Sequence, residues 1–196
     1  MAGSGGNAGG ATGAGGSNTG AANRPCGKLF YSGEPGEITL ASGSTWSDPR
    51  GTAGTSTITE ITDNPHSGTT ALKIALDWND GQYGGDYGWS FANYNPAKVI
   101  DASSATALSI WMRADHVTGG FNVWLNDINK VSSKFYGVAG GTVGLDWKEL
   151  RVPMSAFAKD GFDPSKLDTF ASDMHDDGHG EVTWYLDDGV FVTACP

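Results

Sequence analysis

The chain has 196 residues, with 12 Lys and Arg against 22 Asp and Glu, a net charge of −10 and 38% hydrophobic residues. This length fits one domain plus a tail. The acidic balance, with its basic residues scattered, excludes a nucleic-acid binder, which needs clustered Lys and Arg to displace counterions. It disfavours acidic polysaccharides for the same reason, unless a metal bridges, whereas neutral glycans carry no such penalty. No run of eighteen apolar residues occurs, so no membrane span is expected.

Residues 1–23 hold 9 of the 30 glycines, without a charge or an aromatic ring. Such a stretch cannot bury enough apolar surface to offset its ordering entropy, so a disordered, flexible linker is expected. Nothing resembling a signal peptide precedes it, and export is expected to rest on a signal that this sequence does not contain. The remainder, residues 24–196, is large enough for one core and carries 7 Trp, 6 Tyr and 8 Phe.

Two cysteines bracket this domain. Cys26 follows the linker and Cys195 is the penultimate residue. An even pair at the two ends reads as a disulfide tying the first strand to the last, with two free buried thiols as the alternative. Closing so long a loop is worth roughly 5 kcal/mol at most. No CxxC or Cys/His spacing suggests zinc.

Between the cysteines the apolar pattern has period two. Leu72, Ile74 and Leu76 form one run, and a turn-rich aromatic loop from Trp78 to Trp89 follows it. Leu108, Ile110 and Met112 alternate with Ser109, Trp111 and Arg113. Phe121, Val123 and Leu125 alternate with Asn122, Trp124 and Asn126. Short helical turns are expected at Asn95–Ala97 and Pro153–Phe157. A capped turn is expected at Asp163-Pro164-Ser165, with Asp at the cap and Pro at the first helical position. Phe170 and Met174 point one way, Asp173 and His175 the other. Val182, Trp184 and Leu186 close the series. Gly and Asn/Asp clusters separate the runs, at Gly119-Gly120, Gly140-Gly141 and Asp176-Asp177-Gly178. The expected fold is all-β, a β-sandwich of nine to eleven strands in a jelly-roll or galactose-binding-like arrangement.

With the apolar alternates inside, one polar face carries Trp111, Arg113, Asn122, Trp124, Asn126, Asp173 and His175. Indole faces stack on the C–H face of a pyranose, while amides, carboxylates and a guanidinium bond its hydroxyls. Tyr83, Tyr87 and Trp89 in the Gly-rich loop are expected to form a rim, the alternative being a loop that caps the sandwich with Trp78 and Trp89 buried. Trp147 and Trp184 are expected in the core.

The strand Ala107–Ala114, the segment Leu145–Phe157 and the closing stretch Trp184–Val192 with its Asp187-Asp188 pair resemble the β-sandwich carbohydrate-binding modules of secreted polysaccharide-degrading systems. The resemblance covers about Leu72 to Val192. It implies non-catalytic binding of a polysaccharide, with a neutral plant-type β-glycan favoured because flat chains suit flat indole platforms. It also implies a secreted or cell-surface bacterial protein, part of a larger modular or tethered assembly. Related sandwiches often hold a structural calcium between first and last strands. Asp188, Glu34 and Glu60 are the expected ligands here.

Two rivals remain. One is a structural or adhesive exported sandwich without a sugar site. The other is a glycosidase or lyase, which needs facing carboxylates about 5 to 9 Å apart. The 5 glutamates, Glu34, Glu37, Glu60, Glu149 and Glu181, all lie off the proposed face, and no nucleophile elbow or phosphate loop is present. The expectation is therefore not an enzyme.

Overall fold

The computed structural model describes residues 25–33, 43–47, 56–77, 86–92, 99–138, 143–175 and 181–195. Among them the chain forms β1 (Gly27–Tyr31), β2 (Gly43–Ser47), β3 (Ser56–Ile61), β4 (Ala71–Asp77), β5 (Asp86–Ala92), β6 (Ala107–Ala114), β7 (Phe121–Asp127), β8 (Tyr136–Val138), β9 (Lys148–Pro153), β10 (Leu167–His175) and β11 (Glu181–Val192). One sheet has the order β3-β4-β11-β6-β9, with β1 also pairing β11. The other has the order β2-β5-β10-β7-β8. Every pairing is antiparallel. The architecture is the β-sandwich that the period-two pattern predicts.

The inner faces follow from the alternation. Leu72, Ile74, Leu108, Ile110, Met112, Trp184 and Leu186 of the six-stranded sheet are fully buried. They meet Phe121, Val123, Leu125 and Phe170 of the five-stranded sheet. Phe121 packs on Trp184 with ring centroids 4.7 Å apart, and Phe30 stacks on Phe170 at 5.6 Å. Burying each such ring stabilises by roughly 2 to 3 kcal/mol. Trp184 is in the core as expected. Trp147 is not: it lies half-buried on the outer side of the six-stranded sheet, its Nε1 donating to Asn64 O at 3.1 Å.

Both expected turns on described residues are short 3-10 segments. Met154–Phe157 follows Pro153, and Pro164–Lys166 is capped by Asp163, whose carboxylate accepts from Ser165 N. The turns expected at Asn95–Ala97, Gly140-Gly141 and Asp176-Asp177-Gly178 lie outside the described residues, as does the linker 1–23. Cys26 and Cys195 form the disulfide, with Cα atoms 5.2 Å apart. It staples the ladder in which β1 pairs the end of β11.

The long strand β11 shifts register against β6 between Asp187 and Val190. At this bulge Asp188 takes φ +47° and Gly189 sits so close to the Phe30 ring that no Cβ would fit. A bulge turns consecutive side chains out of simple alternation. That is why Asp187 and Asp188 are both buried.

Candidate functional site

The outer face of the five-stranded sheet is built from β7 and β10. Asn122 stands opposite Asp173, Trp124 opposite Ala171, and Asn126 opposite Thr169. Asn122 Nδ2 donates to Asp173 Oδ1 at 2.9 Å, so each orients the other. Trp124 packs against Phe135, centroids 4.8 Å apart and planes tilted by 48°, and Phe135 is 59% exposed. Asn126 Oδ1 is buried with no hydrogen-bond partner.

Register extends these rows across the sheet. The Asn122–Asp173 row runs from Gly137 on β8 to Gly88 on β5 and Trp46 on β2. The Trp124–Ala171 row continues to Ser90 and Ser44. On the described strands the face carries Asn122, Asp173, Trp124 and Ala171, with Phe135 against Trp124. In backbone register the polar row ends at Trp46 on β2.

The turn beside Trp124 is held from below. Asp127 is fully buried, and its carboxylate accepts from Asn129 N at 2.8 Å, Val131 N at 3.0 Å and Asp163 N at 3.2 Å. Lys130, at φ +64°, reaches Asp168 at 2.8 Å. A buried carboxylate bonded to backbone N–H groups fixes the loop that leads from β7 toward Phe135.

The predicted site residues divide between the two sheets. Asn122, Trp124, Asn126 and Asp173 share the face just described. Trp111 and Arg113 face outward too, but from β6 in the other sheet, on the opposite side of the molecule. The pattern within each strand is as expected; residues 115–120 carry the chain across from one sheet to the other, which no local pattern reveals. His175 lies on β10 opposite Asp86, and its side chain lies outside the described residues. Tyr83 lies outside them altogether. Tyr87 and Trp89 stand opposite Met174 and Ser172, in register with the alternate rows rather than with Asp173.

Sequence reasoning missed Phe135 and Trp46. Phe135 sits in a polar connection, Ser132-Ser133-Lys134-Phe135, where a lone aromatic is a usable signal. Trp46 alternates with Ser44 in a five-residue strand too short to stand out.

On the other side, segment 62–70 lies against the six-stranded sheet. His66 stacks on Trp111 at 3.8 Å with planes 14° apart, and its Nδ1 is 2.7 Å from Asp188 Oδ2. Ser67 donates from its hydroxyl to Asp188 Oδ1 and from its backbone N to Asp187 Oδ2. Burial, reinforced by the charge of Asp188, pushes the Asp187 carboxyl up to about 6.

The calcium that the resemblance implies can be tested on these atoms. Among the described residues no group of three or more His, Cys, Asp or Glu side chains could hold a metal ion. At Gly33, φ +76°, a Cβ would lie 2.7 Å from Asp187 Oδ1, 2.8 Å from Thr70 O and 2.9 Å from Ser67 O. These oxygens close on the backbone of Gly33 itself, which explains the glycine and leaves no room for a cation at that point. The expected ligands are not gathered either: Asp188 is engaged by His66 and Ser67, Glu60 stands opposite Leu72 on β3, and Glu34 lies outside the described residues. The described residues therefore do not form the oxygen cage that calcium takes.

No protein-family model and no curated protein sequence matches the chain. Solved structures do. A family 30 carbohydrate-binding module of a cellulosomal cellulase of Clostridium thermocellum superposes with TM-score 0.61 at 14% identity, covering 86% of this chain and 98% of that one. A family 11 module from Clostridium thermocellum, in complex with a β-1,3-1,4-mixed-linked tetrasaccharide, gives 0.54 at 14% identity over 80% of this chain and 91% of that one. A β-1,2-glucanase from Parabacteroides distasonis gives 0.61 at 13% identity over 88% of this chain, though over only 26% of the enzyme. The chain therefore has the β-sandwich fold found in carbohydrate-binding modules.

Proposed function

We propose that this sandwich binds a neutral β-glycan, without catalysis, on the outer face of the five-stranded sheet. The observation that carries the reading is the pairing of Trp124 and Phe135 beside the Asn122–Asp173 bond. Rings supply stacking, worth on the order of 1 kcal/mol each, and the preoriented amide and carboxylate select hydroxyl geometry. The fold neighbour in complex with a β-1,3-1,4-mixed-linked tetrasaccharide supports the ligand class. The match to about a quarter of a glucanase supports a module that accompanies enzymes. The disulfide fits a secreted or cell-surface protein, since such bonds persist in oxidising compartments.

Retention on a panel of soluble and insoluble polysaccharides tests the reading. Wild type should be held by a β-glucan class. Trp124→Ala and Phe135→Ala should each lose roughly tenfold in affinity, or about 1.4 kcal/mol, with little change in melting temperature. Retention by no glycan, or retention unchanged in both variants, would sink this face as the site.

A further inference from the structure

The scattered basic residues argue from sequence against acidic ligands, yet the fold brings two of them together. In the six-stranded sheet Lys73 and Arg113 stand on either side of Tyr185. Thr59 extends the row beyond Lys73. Strand spacing separates the two cationic positions by about 10 Å on the outer face.

Arg113 is unusual in its partners. Its guanidinium carbon lies 3.6 Å from the Tyr185 ring centroid and 5.3 Å from that of Trp147. Its Nε is buried with no hydrogen-bond partner. Four other described cations find carboxylates, Lys28 with Asp101, Lys130 with Asp168, Arg151 with Glu149 and Lys166 with Asp163, while the exposed Lys134, Lys148 and Lys159 do not. Among the described residues neither Arg113 nor Lys73 forms an ion pair. Asp187, one row away, is taken up by Ser67 N and Asp188 N.

Aromatic rings hold a guanidinium by their quadrupole, but they offer its N–H fork no directed acceptor. A planar carboxylate matches that fork, and a second cation nearby adds charge complementarity. The adjoining row, Thr57, Ala75 and Thr183, is a low floor of small and hydroxyl side chains. Trp147 stands beside Arg113.

The geometry points to a second glycan site on this face, distinct from the Trp124 face, that takes a uronate. Its carboxylate sits on Arg113, within the field of Lys73, and its ring lies over the small floor against Trp147. The rings and hydroxyl-bearing floor favour an acidic sugar over an acidic peptide.

Calorimetric titration of the full disulfide-bonded chain at low ionic strength tests the site, with tetragalacturonate, its methyl ester and tetraglutamate as probes. Tetragalacturonate should bind, the ester about tenfold or more weaker, and tetraglutamate likewise weaker. Arg113→Gln and Lys73→Gln should each weaken tetragalacturonate about tenfold, and added salt should weaken it in wild type. Trp124→Ala should leave it unchanged, which separates this site from the neutral-glycan face. If Arg113→Gln lowers the melting temperature, Lys73→Gln decides the matter. No binding of tetragalacturonate, equal binding of the ester or of tetraglutamate, or indifference to Lys73→Gln would overturn the assignment.

Discussion

At the scale of single residues, Asp187 couples stability to pH. Its folded pKa of about 6 lies above the ordinary aspartate value of 3.8. The folded state therefore holds this proton more tightly than the unfolded chain does. Stability falls as pH rises from about 4 to about 6, and it stays lowered above that. Asp163 and Asp101 act oppositely. Hydrogen bonds from Ser165 and Ser103 lower their pKa values, so their contribution is lost only on acidification below about 4. The melting temperature should rise between pH 7 and pH 5, by a stability on the order of 1 kcal/mol. Asp187→Asn should flatten that slope. An unchanged slope in the variant would assign the pH dependence to other groups.

At the scale of elements, the turn after β7 is set by one side chain. Asp127 gathers three backbone N–H groups that have no other buried acceptor within the loop. Asp127→Ala should strand them, destabilise by about 3 kcal/mol and raise amide exchange at Asn129 and Val131. Because this loop leads toward Phe135, β-glucan affinity should also fall, although Asp127 is buried and beyond a ligand's reach. Unchanged exchange at those amides would show that the loop holds itself. The bulge in β11 plays a comparable part on the other sheet. It turns Asp187 and Asp188 together toward segment 62–70, where alternation would have separated them.

At the scale of the molecule, the Cys26–Cys195 bond closes a sequence separation of 169 residues around the whole sandwich. Replacing both by Ser should lower stability by about 3 to 5 kcal/mol, read as a fall in melting temperature. Amide exchange should rise first in Lys28–Tyr31, since among the described residues β1 pairs only the end of β11. A uniform rise over all strands would instead mark the disulfide as a global tether. The two outer faces of this sandwich are chemically unlike. One carries the Asn122–Asp173 pair beside Trp124 and Phe135. The other carries Lys73, Arg113 and the stacked His66–Trp111 pair.

Apolar alternation shows which side of these strands faces inward. Leu108, Ile110, Met112, Phe121, Val123, Leu125 and Phe170 are all buried, because the alternation is a local consequence of the pleat. The disulfide and the Asp163 cap are legible too, since both rest on residue types at recognisable positions. Which outward residues are neighbours is set by the tertiary fold. Period two says that Trp111 and Trp124 both point away from the core, but it carries no information on which sheet each strand joins. That choice is made by strand pairings that are non-local in the chain. They separate Trp111 from Trp124, place Arg113 in one row with Lys73, and turn Asp187 toward oxygens of residues far before it in sequence.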